Sequence, residues 1–209
     1  MTFIRTRCRQ HTITNEMFSD LIVKRKWEKV TKKVKSDITL GMPHRSQLCT
    51  RCRQLHSPLF FACVYSPPVG TIKALLRANP WAIFEVDCEQ RLPLHIACEN
   101  GASPKVINEL IIAYPEAVSK KDGQGMFPLH KVCQSYYGNV DILVSKEDTL
   151  KYLSKVIKVL LKTDPSTILV RDSIGMSPIE YALGARMYTV CLNILLKAES
   201  ALQSKALQR

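Results

Sequence analysis

The chain has 209 residues, a formal net charge of +12 at pH 7 and 46% hydrophobic residues. That length suits one elongated array or one or two ordinary domains, and the apolar content allows a sizeable core. No stretch is apolar and long enough to span a bilayer, and the N-terminus lacks the apolar core of a secretory signal. Eight cysteines without an Asn-x-Ser/Thr sequon argue for a reducing compartment rather than a disulfide framework. The expected location is therefore intracellular, cytoplasmic or nuclear.

The charge is uneven. Residues 1–56 hold 13 Lys and Arg against 4 Asp and Glu, whereas residues 57–209 hold 17 against 14. Residues 1–16 carry Arg5, Arg7 and Arg9 with no acid before Glu16. They read either as a flexible basic tail or as an organelle transit peptide, which is typically Arg-rich and acid-poor. Residues 17–37 read as one helix. Met17, Phe18, Leu21, Ile22, Trp27, Val30 and Val34 form its apolar side, and a run of cations between Lys24 and Lys35 covers the other. That basic face is a solvated capping surface, a nuclear-import signal, or a patch for nucleic acid or an anionic surface over residues 24–35.

Residues 44–56 contain Cys49 and Cys52 flanked by His44 and His56. Thiolates and imidazoles suit tetrahedral zinc, but this spacing fits none of the common finger patterns. A metal site, a redox pair and an ordinary inter-repeat loop are all compatible with it. The ordinary loop is preferred, so no metal ligand and no cofactor is assigned.

From Pro58 onward one unit recurs. Pro58-Leu59-Phe60-Phe61-Ala62-Cys63 returns 35 residues later as Pro93-Leu94-His95-Ile96-Ala97-Cys98, and again 35 residues later as Pro128-Leu129-His130-Lys131-Val132-Cys133. Pro178-Ile179-Glu180-Tyr181-Ala182-Leu183 is a weaker fourth copy, displaced by a 15-residue insertion near 134–148. Each unit also carries an apolar pair (Leu75-Leu76, Leu110-Ile111, Leu160-Leu161, Leu195-Leu196). The first three carry a late proline (Pro80, Pro115, Pro165) and a turn aspartate (Asp87, Asp122, Asp172).

Physical chemistry assigns each part. The early proline opens a first helix, where its missing N–H costs nothing. Ser57 and Ser177 can cap that helix, but Leu92 and Phe127 cannot, so those two starts must be held by packing. Ser66-Pro67, Ser103-Pro104 and Asp148 mark the starts of second helices. Val106, Leu110 and Ala113 share one helical face, as do Leu153, Val156, Ile157 and Leu160. The late proline stops the second helix, and turns with Gly supplying positive φ close the unit. In repeat four the second helix, around 188–197, runs on through Ala201, Leu202 and Ala206.

The unit resembles the ankyrin repeat, whose Thr-Pro-Leu-His-x-Ala pattern is matched by Leu92-Pro93-Leu94-His95-Ile96-Ala97. The late Pro-x-Ala resembles a slightly longer variant of that repeat. The likeness spans Pro58 to about Ala198. Phe60 and Glu180 depart from it at the His position, as does Gln90 at the turn Gly. It implies an all-α solenoid of helix-turn-helix units with short extended loops: a degenerate capping repeat and loop over 17–56, then about four repeats over 57–209. Trp27-Glu28-Lys29-Val30 resembles the second helix of a degenerate leading repeat.

Under this reading Pro58, Pro93, His95, Pro128, His130 and Pro178 are structural. The two histidines tie neighbouring loops together, and Cys63, Cys98 and Cys133 are small core residues. No phosphate-binding Gly-rich loop, zinc-protease signature or nucleophile elbow is present, so no residue is assigned a catalytic role. The expected function is non-enzymatic: a monomeric module binding another protein through a concave face of loop tips and first helices. Register selects Glu89, Gln90 and Arg91 at one tip, Lys121, Gln124 and Met126 at the next, and Arg171, Ser173 and Met176 at the third. The alternative is a nucleic-acid or anionic-surface binder using the basic N-terminal third.

Overall fold

The computed structural model describes residues 20–37, 47–48, 55–135 and 146–207. The tail over 1–16, the Cys49–Cys52 pair and most of the insertion, residues 136–145, lie outside the described residues. The architecture is helical: α1 (Trp27–Asp37), α2 (Pro58–Val64), α3 (Val69–Ala78), α4 (Pro93–Glu99), α5 (Pro104–Ala113), α6 (Pro128–Ser135), α7 (Lys146–Thr163), α8 (Pro178–Gly184) and α9 (Thr189–Leu207). A minimal antiparallel pair, β1 (Gln47–Leu48) with β2 (Leu55–His56), precedes α2. Among the described residues, no helix is long and apolar enough to cross a membrane.

The helices form two rows. The short proline-initiated helices α2, α4, α6 and α8 each pack on the next, and the longer helices α1, α3, α5, α7 and α9 do the same. Each short helix also packs on the long helix that follows it, and the core is continuous along the stack. Leu59, Leu94, Leu129 and Ile179 occupy the same buried position in the four short helices. Ala62 and Cys63, with Ala97 and Cys98, are buried small residues that let the rows approach. The longer helices bury Ile72 and Leu75, Ile107 and Leu110, Ile157 and Leu160, then Cys191 and Leu195.

Several local expectations are corrected. The helix read across 17–37 is interrupted after residue 23. Arg25 adopts φ 51°, and the Lys26 amide reaches back to the Leu21 carbonyl at 2.8 Å. That is a helix stop of the αL type, made here by Arg rather than Gly. Ser66 does not cap α3. It sits at φ 52° and its hydroxyl bonds the Asn100 carbonyl at 3.1 Å, while α3 starts behind Pro68. Ala113 is exposed, and the buried face of α5 is Val106, Ile107, Leu110 and Ile111. The late prolines stop the second helices but also open a 3₁₀ turn, at Pro80–Phe84, Pro115–Ser119 and Pro165–Leu169. α9 does run on to Leu207.

Candidate functional site

The segments that join each long helix to the next short one are built around the recurring aspartate. Asp87 Oδ1 accepts the amides of Glu89 and Arg91, Asp122 Oδ1 those of Gln124 and Met126, and Asp172 Oδ1 those of Ile174 and Met176, five at 2.9 Å and one at 3.0 Å. The chain then reverses through a residue at positive φ: Gln90 at 57°, Gly125 at 76° and Gly175 at 84°. The second carboxylate oxygen takes a different partner in each turn. It is Arg91 at 2.7 Å for Asp87, Lys131 at 2.9 Å for Asp122 and the Tyr181 hydroxyl at 2.6 Å for Asp172.

The turns are linked tip to tip. The Gly123 amide donates to the Glu89 carbonyl at 2.7 Å, and the Ser173 amide to the Gln124 carbonyl at 2.9 Å. A Cβ on Gly123 would lie 2.9 Å from that Glu89 oxygen, so close approach demands glycine there.

His95 fastens the second tip to the stack, and His130 faces the third. His95 Nδ1 accepts the Leu92 amide at 3.2 Å, which places the ring proton on Nε2; that nitrogen meets the Lys120 and Met126 carbonyls at 3.1 and 3.2 Å. His130 Nδ1 likewise accepts the Phe127 amide at 3.1 Å, and its Nε2 points towards the equivalent carbonyls without closing to a full bond. The two starts without a capping side chain are thus held by imidazole as well as by packing.

The remaining starts solve the same problem differently. The Ser57 amide donates to Glu85 at 2.9 Å, and the Ser177 amide to Glu180 at 2.6 Å. Burial pushes the His95 pKa down to about 4, against the pull of Asp122 and the two carbonyls. His130 is lowered for the same first reason.

Lys131 is a feature the sequence reading passed over. It stands where Phe61, Ile96 and Tyr181 stand in the other copies, yet it is only 3% exposed and pairs with the buried Asp122. Burial raises the Asp122 pKa, but Lys131 and the Met126 and Gln124 amides outweigh it and hold it below the ordinary carboxylate value. The signal was present, because an Asp at the turn position faces any residue nine later in the unit.

The nine residues selected from register separate by their place in the turn. Gln90, Lys121, Gln124 and Ser173 are exposed at the tips. Lys121 also lies over the Phe127 ring, 5.9 Å from its centroid. Glu89 is half-buried and pairs with Arg91 at 3.4 Å. Arg91 is engaged internally, with Asp87 and with Glu99 at 2.8 Å. Arg171 is exposed but held to Glu180 at 3.0 Å, and Met176 is half-buried.

Met126 is the clear correction, because it is buried and cannot serve as a surface contact. It is the residue at which the chain re-enters the stack. Its amide returns to Asp122, and its carbonyl accepts both the Asp122 amide and His95. The apex lies instead one and two residues after each Asp, which brings in Cys88 and Ile174, the latter 77% exposed. A separate aromatic group stands in the first 3₁₀ turn. Trp81 is 77% exposed beside Phe84, which meets Tyr114 edge-on at 4.7 Å. On α1, Lys29, Lys32 and Lys35 are exposed while Val30 and Val34 are buried.

Comparison with known proteins finds no family model that matches the chain and no match among curated proteins. Among the described residues no cluster of three or more His, Cys, Asp or Glu could hold a metal ion.

Proposed function

We propose that the chain is a non-enzymatic, ankyrin-type array that binds another protein through its turn tips and the adjoining short helices. The observation that carries this reading is the tip-to-tip ladder. Three aspartate-anchored turns, joined by the Gly123–Glu89 and Ser173–Gln124 hydrogen bonds, hold side chains at fixed spacing. A partner bound there meets Gln90, Lys121, Gln124, Ser173 and Ile174 without first having to order them, so little binding energy is lost to loop entropy. Both ring nitrogens of His95 are taken by structural hydrogen bonds, and His130 Nδ1 holds the Phe127 amide, so each ring serves a structural contact. The test is affinity capture with the full chain beside a variant carrying Lys121→Glu and Ile174→Glu, both exposed positions. Loss of the captured partner on the variant, with unchanged thermal unfolding, is expected; full retention contradicts the reading.

A second reading, binding of nucleic acid or an anionic surface through residues 24–35, is favoured by the exposure of Lys24, Arg25, Lys26, Lys29, Lys32 and Lys35. It predicts an affinity that falls steeply with added salt as counterions re-bind.

A further inference from the structure

The row of long helices carries a groove of about 490 Å³ that shares no residue with the tips. It lies over α5 and is flanked by α3 and α7. Its apolar lining is Val69 from α3, Pro104 from α5 and Val159 from α7. Its remaining lining is strongly cationic, with Lys73, Lys105, Lys155 and Lys158 against the single acid Glu109. Glu109 is already matched by Lys73 at 3.0 Å. Lys105, Lys155 and Lys158 are exposed and form no ion pair among the described residues. On α7 the cations continue as Lys151, Lys155, Lys158 and Lys162, at spacings of four, three and four residues, so they share one exposed stripe.

Uncompensated like charges this close raise the energy of the free chain and favour an anionic occupant. The chemistry of the groove distinguishes between kinds of anion. Single-stranded nucleic acid is held by aromatic platforms on which bases stack, and no aromatic side chain lines this groove. A bare phosphate backbone would gain nothing from Val69, Pro104 and Val159. A helix with one apolar and one acidic face uses both parts, burying its apolar side chains between the long helices and setting its carboxylates against the lysine rim.

We propose that this groove docks an acidic amphipathic helix of a partner protein, with Lys105, Lys155 and Lys158 as the charge-reading residues. The proposal does not depend on the tips being a binding face. The test uses the full chain and a labelled synthetic helix-forming peptide with glutamates on one face and leucines on the other, read by fluorescence anisotropy. Charge reversal at Lys105→Glu, Lys155→Glu and Lys158→Glu is expected to weaken binding about tenfold or more, since three exposed ion pairs are inverted. Replacing the peptide's leucines by glutamine, or its glutamates by lysine, is expected to abolish binding to the unaltered chain, a readout that needs no variant to fold. The Lys121→Glu, Ile174→Glu variant is expected to bind the peptide normally, which separates this site from the tips. Equal binding of the peptide by the charge-reversed chain overturns the proposal. So does a single-stranded or duplex oligonucleotide that binds as tightly as the peptide and is lost on the same charge reversal.

Discussion

Replacing His95 by Phe imports into the second repeat the residue that Phe60 supplies in the first. The first repeat tolerates Phe because the Ser57 amide is taken by Glu85 and the Ser57 hydroxyl caps Phe60. The second repeat has neither, since Leu92 brings no capping oxygen. His95→Phe therefore strands the Leu92 amide and withdraws the shared donor from the Lys120 and Met126 carbonyls. Each stranded buried group costs about 1–3 kcal/mol, so a loss of about 3 kcal/mol near neutral pH is expected, after some gain from the added apolar ring.

The same residue sets a pH signature. His95 titrates near 6.5 when unfolded and about 4 when folded. Above 6.5 it is neutral in both states and its contribution is complete. As pH falls below 6.5 the unfolded chain takes up a proton that the folded site refuses, so stability declines until about 4. Between about pH 7.5 and pH 5 this one group should cost the unaltered protein about 2 kcal/mol. His130, lowered in the same direction, adds to it. Urea unfolding followed by circular dichroism at both pH values measures each effect. A loss under about 1 kcal/mol for His95→Phe near neutrality, or full retention of the unaltered chain's acid sensitivity, would contradict the structural role of His95.

Lys131→Met should destabilise the protein by about 3 kcal/mol in the same unfolding assay, because it leaves Asp122 buried without its cation. Gly123→Ala should cost about 1–3 kcal/mol, as its Cβ would meet the Glu89 carbonyl at 2.9 Å. Gly70→Ala, where a Cβ meets nothing within 4 Å inside α3, should be neutral or stabilise by up to about 1 kcal/mol; reversal of this ordering would contradict the turn ladder. Iodoacetamide labelling mapped by mass spectrometry should modify Cys88 in the native protein but leave Cys63, Cys98, Cys133 and Cys191 unmodified. Burial raises all four of those thiols, Cys63 to about 12 and Cys191 to about 11.

The recurring proline, the apolar pair and the late proline made the two rows of helices legible, since each signal is local and repeats in register. Ser57, Ser103 and Ser177 capped as their chemistry implied. The histidine role was legible only in part. Tying loops together could be read, but capping through Nδ1 depends on a ring orientation that no spacing reveals. Arg25 and Ser66 stop or redirect the chain at positive φ, a conformation that propensity assigns to Gly; the Lys26 amide bond to Leu21 accompanies the first and the Ser66 hydroxyl bond to Asn100 the second.

Met126 was misplaced because apolar residues at tips and at re-entry points look alike in sequence. Only the hydrogen bonds to Asp122 separate them. The lysine groove was invisible for a related reason. Val69, Lys105 and Lys158 lie far apart in the chain, and stacking of α3, α5 and α7 brings them to one surface.

Protein binding at the turn tips is tested most directly by quantitative capture with the full chain and with its Lys121→Glu, Ile174→Glu variant, at low and at high salt. A partner protein held by the unaltered chain at both salt concentrations and lost by the variant is the predicted result. Capture that survives the tip substitutions but vanishes with added salt would contradict it and move the function to a basic surface, either residues 24–35 or the lysine groove over α5.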